Sequence, residues 1–115
     1  MDDTDRANQG MKTRREVLGN EHVDRAVART TDFTAPFQDL ITRYAWGEIW
    51  SRPGLTRPER SMITLTALAV LRQEDELAMH LRAALRNGLT PSLTPKSRGR
   101  NCVSCARVYT RRLGL

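Results

Sequence analysis

DELAMHLRAALRNG, residues 75–88, has the pattern of one complete amphipathic helix. Its apolar residues return every three or four positions, as on a helix with one buried face, while its arginines fall on the opposite side. Acidic residues at its start and Arg86 at its end suit the helix dipole. Asn87 and Gly88 predict a left-handed stop. The predicted buried face consists of Leu77, Leu81, Ala84, Leu85 and Gly88.

His80 is the exception on that face, one turn after Leu77 and one turn before Ala84. Two interpretations are open from the helix alone. A lone histidine on an apolar face is most often a core residue that is hydrogen-bonded to a carbonyl group. It can also be a catalytic acid or base, although ionisable groups in unusual surroundings mark functional sites only statistically. The other motifs of the chain have to decide between the two.

The charge of the chain is concentrated in its tail. A chain of 115 residues can form one domain with a substantial core. The net charge of +6 comes entirely from the six basic residues after Pro95, because residues 1–95 contain as many basic as acidic residues. A basic terminus is weaker evidence for nucleic acid than a basic patch on a folded surface. We therefore do not expect nucleic acid to be the partner.

The sequence also argues against membranes and metals. It shows no signal-peptide pattern, and its longest apolar run, 62–71, is too short to cross a bilayer. We therefore expect a cytoplasmic protein. Cys102 and Cys105 form one isolated Cys-x-x-Cys pair, which is neither a disulfide framework nor adequate evidence for zinc. The sequence predicts no metal site.

Four more helices are predicted ahead of residue 75, and no strand or hairpin pattern occurs. The predicted fold class is therefore all-α. Thr34 and Pro36 predict a capped start for the third helix. Thr56 with Glu59 predicts a capping box for the fourth, which is apolar almost all round and should be buried on most sides. The four predicted helices are 5–18, 21–29, 34–50 and 57–71.

Two charged residues stand out in these helices. Glu48 continues the predicted inner face of the third helix, where an unpaired carboxylate would be costly to bury. Arg60 precedes the apolar run of the fourth helix and can hold an anion at the rim of the core, although pairing with Glu59 or another surface carboxylate explains it equally well. The predicted inner face of the third helix consists of Phe37, Leu40, Ile41, Tyr44 and Ala45.

Several motifs, taken in order, resemble the γ-carboxymuconolactone decarboxylase family. The likeness extends from about residue 5 to residue 91. It implies an alkylhydroperoxidase-D-like helical bundle that assembles as a ring of subunits, commonly a hexamer, without a metal or an organic cofactor. The motifs are WGEIWSRPGL at 46–55, RSMITLTAL at 60–68, EL at 76–77 followed by His80, ALRNGLTP at 84–91, and GMKTRREVLG at 10–19, which is similar to the amino terminus of that enzyme.

The resemblance also implies a reaction. The family removes CO₂ from the dicarboxylate 4-carboxymuconolactone, which gives the enol-lactone of 3-oxoadipate in bacterial catabolism of protocatechuate. Loss of the γ-carboxylate leaves a dienolate that must be protonated on carbon, and His80 in an apolar pocket can be the proton donor. On this interpretation Glu48 orients the imidazole ring or shares its proton, and Arg60 holds a substrate carboxylate.

The same fold hosts a rival chemistry, thiol-dependent peroxide reduction, through a motif that resembles Cys-x-x-Cys-x-x-x-His. With its histidine aligned on His80, the two cysteines would fall at Gln73 and Glu76. Cys105 does not rescue the motif, because Tyr109 stands where a histidine is needed. The motif therefore argues against a peroxidase.

Residues 92–115 depart from the family pattern, which continues with an acidic cap and a long apolar helix. We expect a decarboxylase-like helical domain over residues 1–91, and then a basic tail that reflects an altered reading frame or a divergent terminus, with the C-terminal helix missing or replaced. Residues 101–115 could still form a short basic amphipathic helix. Two alternatives to a decarboxylase stay open: a defective relative that lacks the terminal helix, and a nucleic-acid-binding protein with a basic tail.

Overall fold

The computed structural model describes residues 1–90, which fold into six helical segments with no strand among them. The all-α class predicted from the sequence is confirmed. The chain forms two compact units, residues 1–55 and the part from residue 56 onward, and each is described by itself. The segments are α1 (Asp3–Leu18), α2 (Asn20–Ala28), α3 (Ala35–Ile41), the π-helix π1 (Thr42–Ile49), α4 (Arg57–Val70) and α5 (Glu74–Arg86).

In the first unit, α1 crosses π1 so closely that only glycine fits at the crossing. A Cβ atom on Gly10 would collide with the carbonyl oxygen of Thr42 and would lie 2.9 Å from the backbone nitrogen of Gly47. A Cβ atom on Gly47 would collide with the carbonyl oxygen of Arg6. Because the atoms met are backbone atoms, no side-chain rotation can relieve either collision. The two glycines therefore decide which face of π1 meets α1.

The crossing buries Thr42, Trp46 and Gly47 and leaves the predicted inner face of the third helix outside. That prediction is wrong, since the residues of the predicted face range from half-buried to 61% exposed. For Tyr44 and Ala45 it assumed 3.6 residues per turn, whereas the hydrogen bonds of a π-helix run from residue i to i+5 and its turns are wider. The other three residues lie in α3, which has no buried residue. The misplaced residues are Phe37, Leu40, Ile41, Tyr44 and Ala45.

The helix ends follow the local signals in two of three cases. The predicted capping box of α4 is confirmed, since the Thr56 hydroxyl accepts from the Glu59 N–H at 3.4 Å and the Glu59 carboxylate accepts from the Thr56 N–H at 2.6 Å. The predicted stop of α5 is confirmed at Gly88, whose φ is +97°. The predicted Thr34 cap is wrong, because that hydroxyl accepts from the Thr31 N–H at 2.9 Å and makes no bond to the start of α3.

In the second unit, α5 packs against α4 through a face turned slightly from the predicted one. Leu77, His80 and Ala84 are buried as predicted. Leu85 is 53% exposed, however, and Ala83 is buried although it lies outside the predicted face. This rotation moves the histidine from one side of the buried face towards its centre.

α4 is much more exposed than its composition predicts. Ser61 is buried, whereas Met62, Ile63 and Val70 are 46%, 57% and 74% exposed. The expectation that this helix is buried on most sides is therefore wrong for the single chain. α5 covers one side of α4, and an apolar helix needs partners on several sides to be enclosed.

The predictions made for the tail lie outside the described residues. They concern the domain boundary at residues 91 and 92, the fate of the C-terminal helix, and the pair Cys102 and Cys105. In the part of the chain up to residue 90, no helix combines the length and the apolar composition that a bilayer crossing requires.

Candidate active site

His80 lies on the buried side of α5 and is 7% exposed. Leu77, Leu81 and Ala84 flank it on the same helix face, and all three are buried. The prediction of a histidine on a buried apolar face is confirmed. Burial alone does not distinguish a catalytic imidazole from a core histidine. It does limit the access of bulk water, which allows a proton donor to act on a bound substrate rather than on solvent.

Arg60 lies in the second turn of α4 and is half-buried. The sequence left open whether it pairs with Glu59. In the structure the Glu59 carboxylate accepts hydrogen bonds from the N–H and the hydroxyl of Thr56, at 2.6 Å and 2.9 Å. These two bonds, first the backbone one, lower the pKa of Glu59, and the charge of Arg60 lowers it further as a smaller cause. Glu59 therefore caps its helix and also interacts electrostatically with Arg60.

Arg60 and His80 belong to one helical hairpin, in which α4 and α5 are joined by residues 71–73. The start of α4 lies beside the end of α5, because Asn87 Nδ2 donates to Ser61 Oγ at 3.1 Å. A Cβ atom on Gly88 would also lie 3.9 Å from Pro58 Cγ. The two helices are therefore antiparallel. Arg60 lies at the level where α5 ends, while the histidine lies further back along α5.

Glu48 is in the last turn of π1, and its side chain is 41% exposed. Its Oε1 accepts from Arg52 Nη2 at 3.1 Å, and its Oε2 lies 4.0 Å from Arg6 Nε. The prediction of a carboxylate on a buried stripe is therefore wrong. Because the stripe itself faces outward, the carboxylate keeps part of its hydration and has two arginines as partners.

A chain of polar contacts holds the end of π1. Trp50 N–H donates to the Ala45 carbonyl at 2.8 Å, in the i to i+5 pattern. The Trp46 carbonyl accepts from the Ser51 hydroxyl at 2.6 Å, and that hydroxyl is 2.8 Å from Thr13 Oγ1 of α1. The segment that carries Glu48 is thus tied to α1 by side chains as well as by close backbone packing.

Arg14 gives a structural reason for part of the motif at residues 10–19. It is 6% exposed, and its guanidinium donates to Gln38 Oε1 at 3.1 Å and to Thr42 Oγ1 at 3.4 Å. These bonds link α1 to the junction between α3 and π1. We therefore assign this arginine to packing within the first unit.

The three predicted site residues are divided between the two units. Glu48 belongs to the first unit, and Arg60 and His80 belong to the second. Sequence reasoning missed the arginines around the carboxylate. Arg52 had a usable signal, because it follows the carboxylate by four residues and such pairs meet on one helix face. Arg6 had none, because it comes from another helix.

Comparison of the sequence with known proteins finds one matching family model and several decarboxylases. Residues 35–92 match the model of the carboxymuconolactone decarboxylase family. The 4-carboxymuconolactone decarboxylase of Acinetobacter baylyi is 52% identical over 90 residues, which are 78% of this chain and 67% of that protein. The nitrosuccinic acid decarboxylase of Metarhizium robertsii is 46% identical over 82 residues, 71% of this chain and 57% of that protein.

A shorter match covers the whole of a third relative. The 4-carboxymuconolactone decarboxylase of Pseudomonas putida is 48% identical over 48 residues, 42% of this chain and 100% of that sequence. No solved structure matches significantly. This chain spans about two thirds of the Acinetobacter protein and less of the Metarhizium protein. The match to the family model and the identity to the Acinetobacter enzyme show that the chain belongs to the carboxymuconolactone decarboxylase family.

Proposed function

We propose that this protein decarboxylates 4-carboxymuconolactone to the enol-lactone of 3-oxoadipate, without a metal or an organic cofactor. The observation that carries the proposal is the 52% identity to the Acinetobacter enzyme of that name, over 78% of this chain. The bond between the ring carbon and the γ-carboxylate breaks, CO₂ leaves, and the electron pair moves through the ring double bond to the lactone carbonyl. The resulting dienolate then takes a proton on carbon.

His80 is the proposed donor of that proton. Its buried position on α5 supports this role, because the anion that forms is protonated best by an acid sheltered from water. Each turnover transfers one proton from the histidine ring to the dienolate. Solvent then supplies a new proton to the ring. Burial of the donor also limits competing reactions of the dienolate with water.

Arg60 is the proposed partner of the carboxylate that the substrate keeps. A guanidinium binds a carboxylate through two parallel hydrogen bonds, which fix orientation as well as position. The half-buried position of Arg60 on α4, in the same helical hairpin as His80, supports this role. Glu48 remains the third proposed site residue, with the role of orienting the histidine ring or sharing its proton. The support for Glu48 is its place in the motif WGEIWSRPGL, residues 46–55, which resembles the family.

A second candidate substrate is nitrosuccinic acid, favoured by the 46% identity to the Metarhizium decarboxylase. The two substrates share the same reactive arrangement. Each has a carboxylate on a carbon whose electrons can be withdrawn, by the conjugated lactone in one case and by the nitro group in the other. Each also keeps a second carboxylate after CO₂ has left. The same proton donor would therefore serve both reactions, with a nitronate in place of the dienolate.

We further propose that the chain forms a homo-oligomeric ring, that it acts in the cytoplasm, and that its reaction belongs to the protocatechuate branch of the β-ketoadipate pathway. Exposed apolar side chains support the assembly. Phe37, Leu40 and Tyr44 are each more than half exposed in the first unit, and Ile63 is 57% exposed in the second. Exposed apolar groups of this extent are typical of subunit interfaces.

The decisive experiment uses the two histidines of the chain. Purified protein is given the lactone or nitrosuccinate, and CO₂ release and product are measured. His80→Gln should lower kcat by about 100-fold or more, the usual loss when a general acid is removed. The matched control is His22→Gln, because His22 lies on α2 in the first unit and has no proposed role. Equal activity of the two variants would return His80 to the status of a core residue. A parent without activity on either substrate would favour the defective relative.

A further inference from the structure

One side-chain hydrogen bond joins the two helices of the second unit at their far ends. Asn87 Nδ2 donates to Ser61 Oγ at 3.1 Å, across 26 positions of sequence. Ser61 is 0% exposed, whereas Asn87 is half-buried. A hydroxyl enclosed to that degree is costly unless it has a hydrogen-bond partner. The bond is therefore a specific requirement of the interface between α4 and α5.

The helix stop does not explain the presence of Asn87. Its own φ is −84°, and the left-handed conformation belongs to Gly88. The side-chain amide of Asn87 is not needed for the stop, and it donates its hydrogen bond to Ser61 instead. Apolar contacts between helices tolerate sliding, whereas a single directional hydrogen bond specifies one register. Such a bond contributes only about 1 kcal/mol net to stability. Its main effect is therefore to fix the position of α4 along α5.

The register matters because it sets the spacing of the proposed site residues. Asn87 and His80 are seven residues apart, so they share one face of α5 and are separated by about 10 Å along the helix axis. Arg60 is the neighbour of Ser61 and lies at the Asn87 end. A shift of α4 along α5 would change the separation of the guanidinium and the imidazole along the helix axis by the same amount.

We propose that the Ser61–Asn87 bond positions Arg60 along α5 relative to the catalytic histidine, and thereby sets the length of dicarboxylate that the second unit accepts. The two bonded residues are positioning residues, because neither contacts the reacting atoms. This inference rests on the roles assigned to the arginine and the histidine under the proposed function. The bond would thus be a determinant of substrate specificity at the open end of the hairpin, away from the loop at residues 71–73.

The test compares variants that lose one hydroxyl or one amide. Ser61→Ala and Asn87→Ala each break the bond. Thr66→Ala is the matched control, because Thr66 is an exposed residue of α4 whose hydroxyl donates to the Met62 carbonyl at 2.9 Å. With the lactone, each bond-breaking variant should lose about tenfold in kcat/KM, mainly through KM, because misplaced binding groups are costly. Thr66→Ala should stay within about twofold of the parent, as expected for a surface site.

Two further measurements separate register from simple loss of stability. The double variant should be no worse than either single variant, because both remove the same interaction. Asn87→Asp should recover most of the activity, since its carboxylate can accept from the Ser61 hydroxyl. Thermal melts are recorded for every variant. Equal kcat/KM for Ser61→Ala and the Thr66→Ala control, or fully additive losses in the double variant, would overturn the proposal.

A binding measurement tests the inference without relying on turnover. Succinate, glutarate and adipate differ by one or two methylene groups, and calorimetry gives their affinities for the parent and each variant. The parent should bind one of the three dicarboxylates about tenfold more tightly than the others, which is a usual effect of one methylene group on affinity. Breaking the bond should reduce that ratio of affinities to about threefold or less. Length preference in an inactive parent would overturn only the proposed function. Preference unchanged by both variants, or no dicarboxylate binding at all, would overturn the positioning role.

Discussion

Gly10→Ala should destabilise the first unit, although the same change stabilises most helices. In an exposed helix interior, alanine is favoured over glycine by about 0.5–1 kcal/mol. At residue 10 the new Cβ atom would instead collide with the carbonyl oxygen of Thr42 and approach the backbone nitrogen of Gly47 to 2.9 Å. No flexible side chain can move aside, so α1 and π1 must separate along the crossing.

The magnitude follows from these two opposing effects. Overpacking costs about 1–3 kcal/mol, and a collision with backbone belongs at the upper end of that range. Subtracting about 1 kcal/mol for helix propensity leaves a net loss of about 2 kcal/mol. For a domain of this size that loss lowers Tm by roughly 8–16 °C. The separation also displaces π1, so we expect the proposed activity to fall with it.

The assay is thermal unfolding followed by circular dichroism. Asn8→Ala is the matched control, because Asn8 is an exposed residue of the same helix and the change adds helix propensity without a collision. Gly47→Ala should destabilise as well, and the double variant should lose less than the sum, since helices already pushed apart meet less resistance. If Gly10→Ala melts at or above the parent temperature, the close crossing is not a feature of the folded protein.

Three further predictions follow from other residues. The hydrogen bond from the Thr56 N–H lowers the pKa of Glu59 below its ordinary 4.5 in the folded chain, so the stability it adds is complete above 4.5 and is lost as pH falls through the lower folded value. Glu59→Gln should therefore lower Tm near pH 7 but have little effect near pH 3. Replacing both Cys102 and Cys105 by serine should leave decarboxylation unchanged, and a thiol-dependent peroxidase activity lost in that variant would contradict the assignment. Leu40→Glu should shift sedimentation towards smaller species, whereas an unchanged profile would exclude that face from the subunit interface.

The site residues show how far local patterns reach. His80 was found because its position depends on the spacing within one helix, and that helix formed as predicted, within a residue or two at each end. Its role could not be derived from spacing, because a core histidine and a general acid occupy the same kind of position. Glu48 was identified as unusual, but its burial was misjudged, because the stripe on which it lies faces outward. The Ser61–Asn87 bond lay beyond any local pattern, because it joins residues 26 positions apart.

The sequence by itself determined the all-α class, the capping box of α4 and the left-handed end of α5, because each depends on residues within one or two turns of each other. Only the tertiary structure decided which faces are buried. The close approach of Gly10 to Gly47 selected the side of π1 that meets α1, and the predicted inner face, which runs through α3 and π1, was left half-buried or exposed. Burial depends on which surfaces meet across the fold, and that meeting is governed by contacts between residues far apart in the chain.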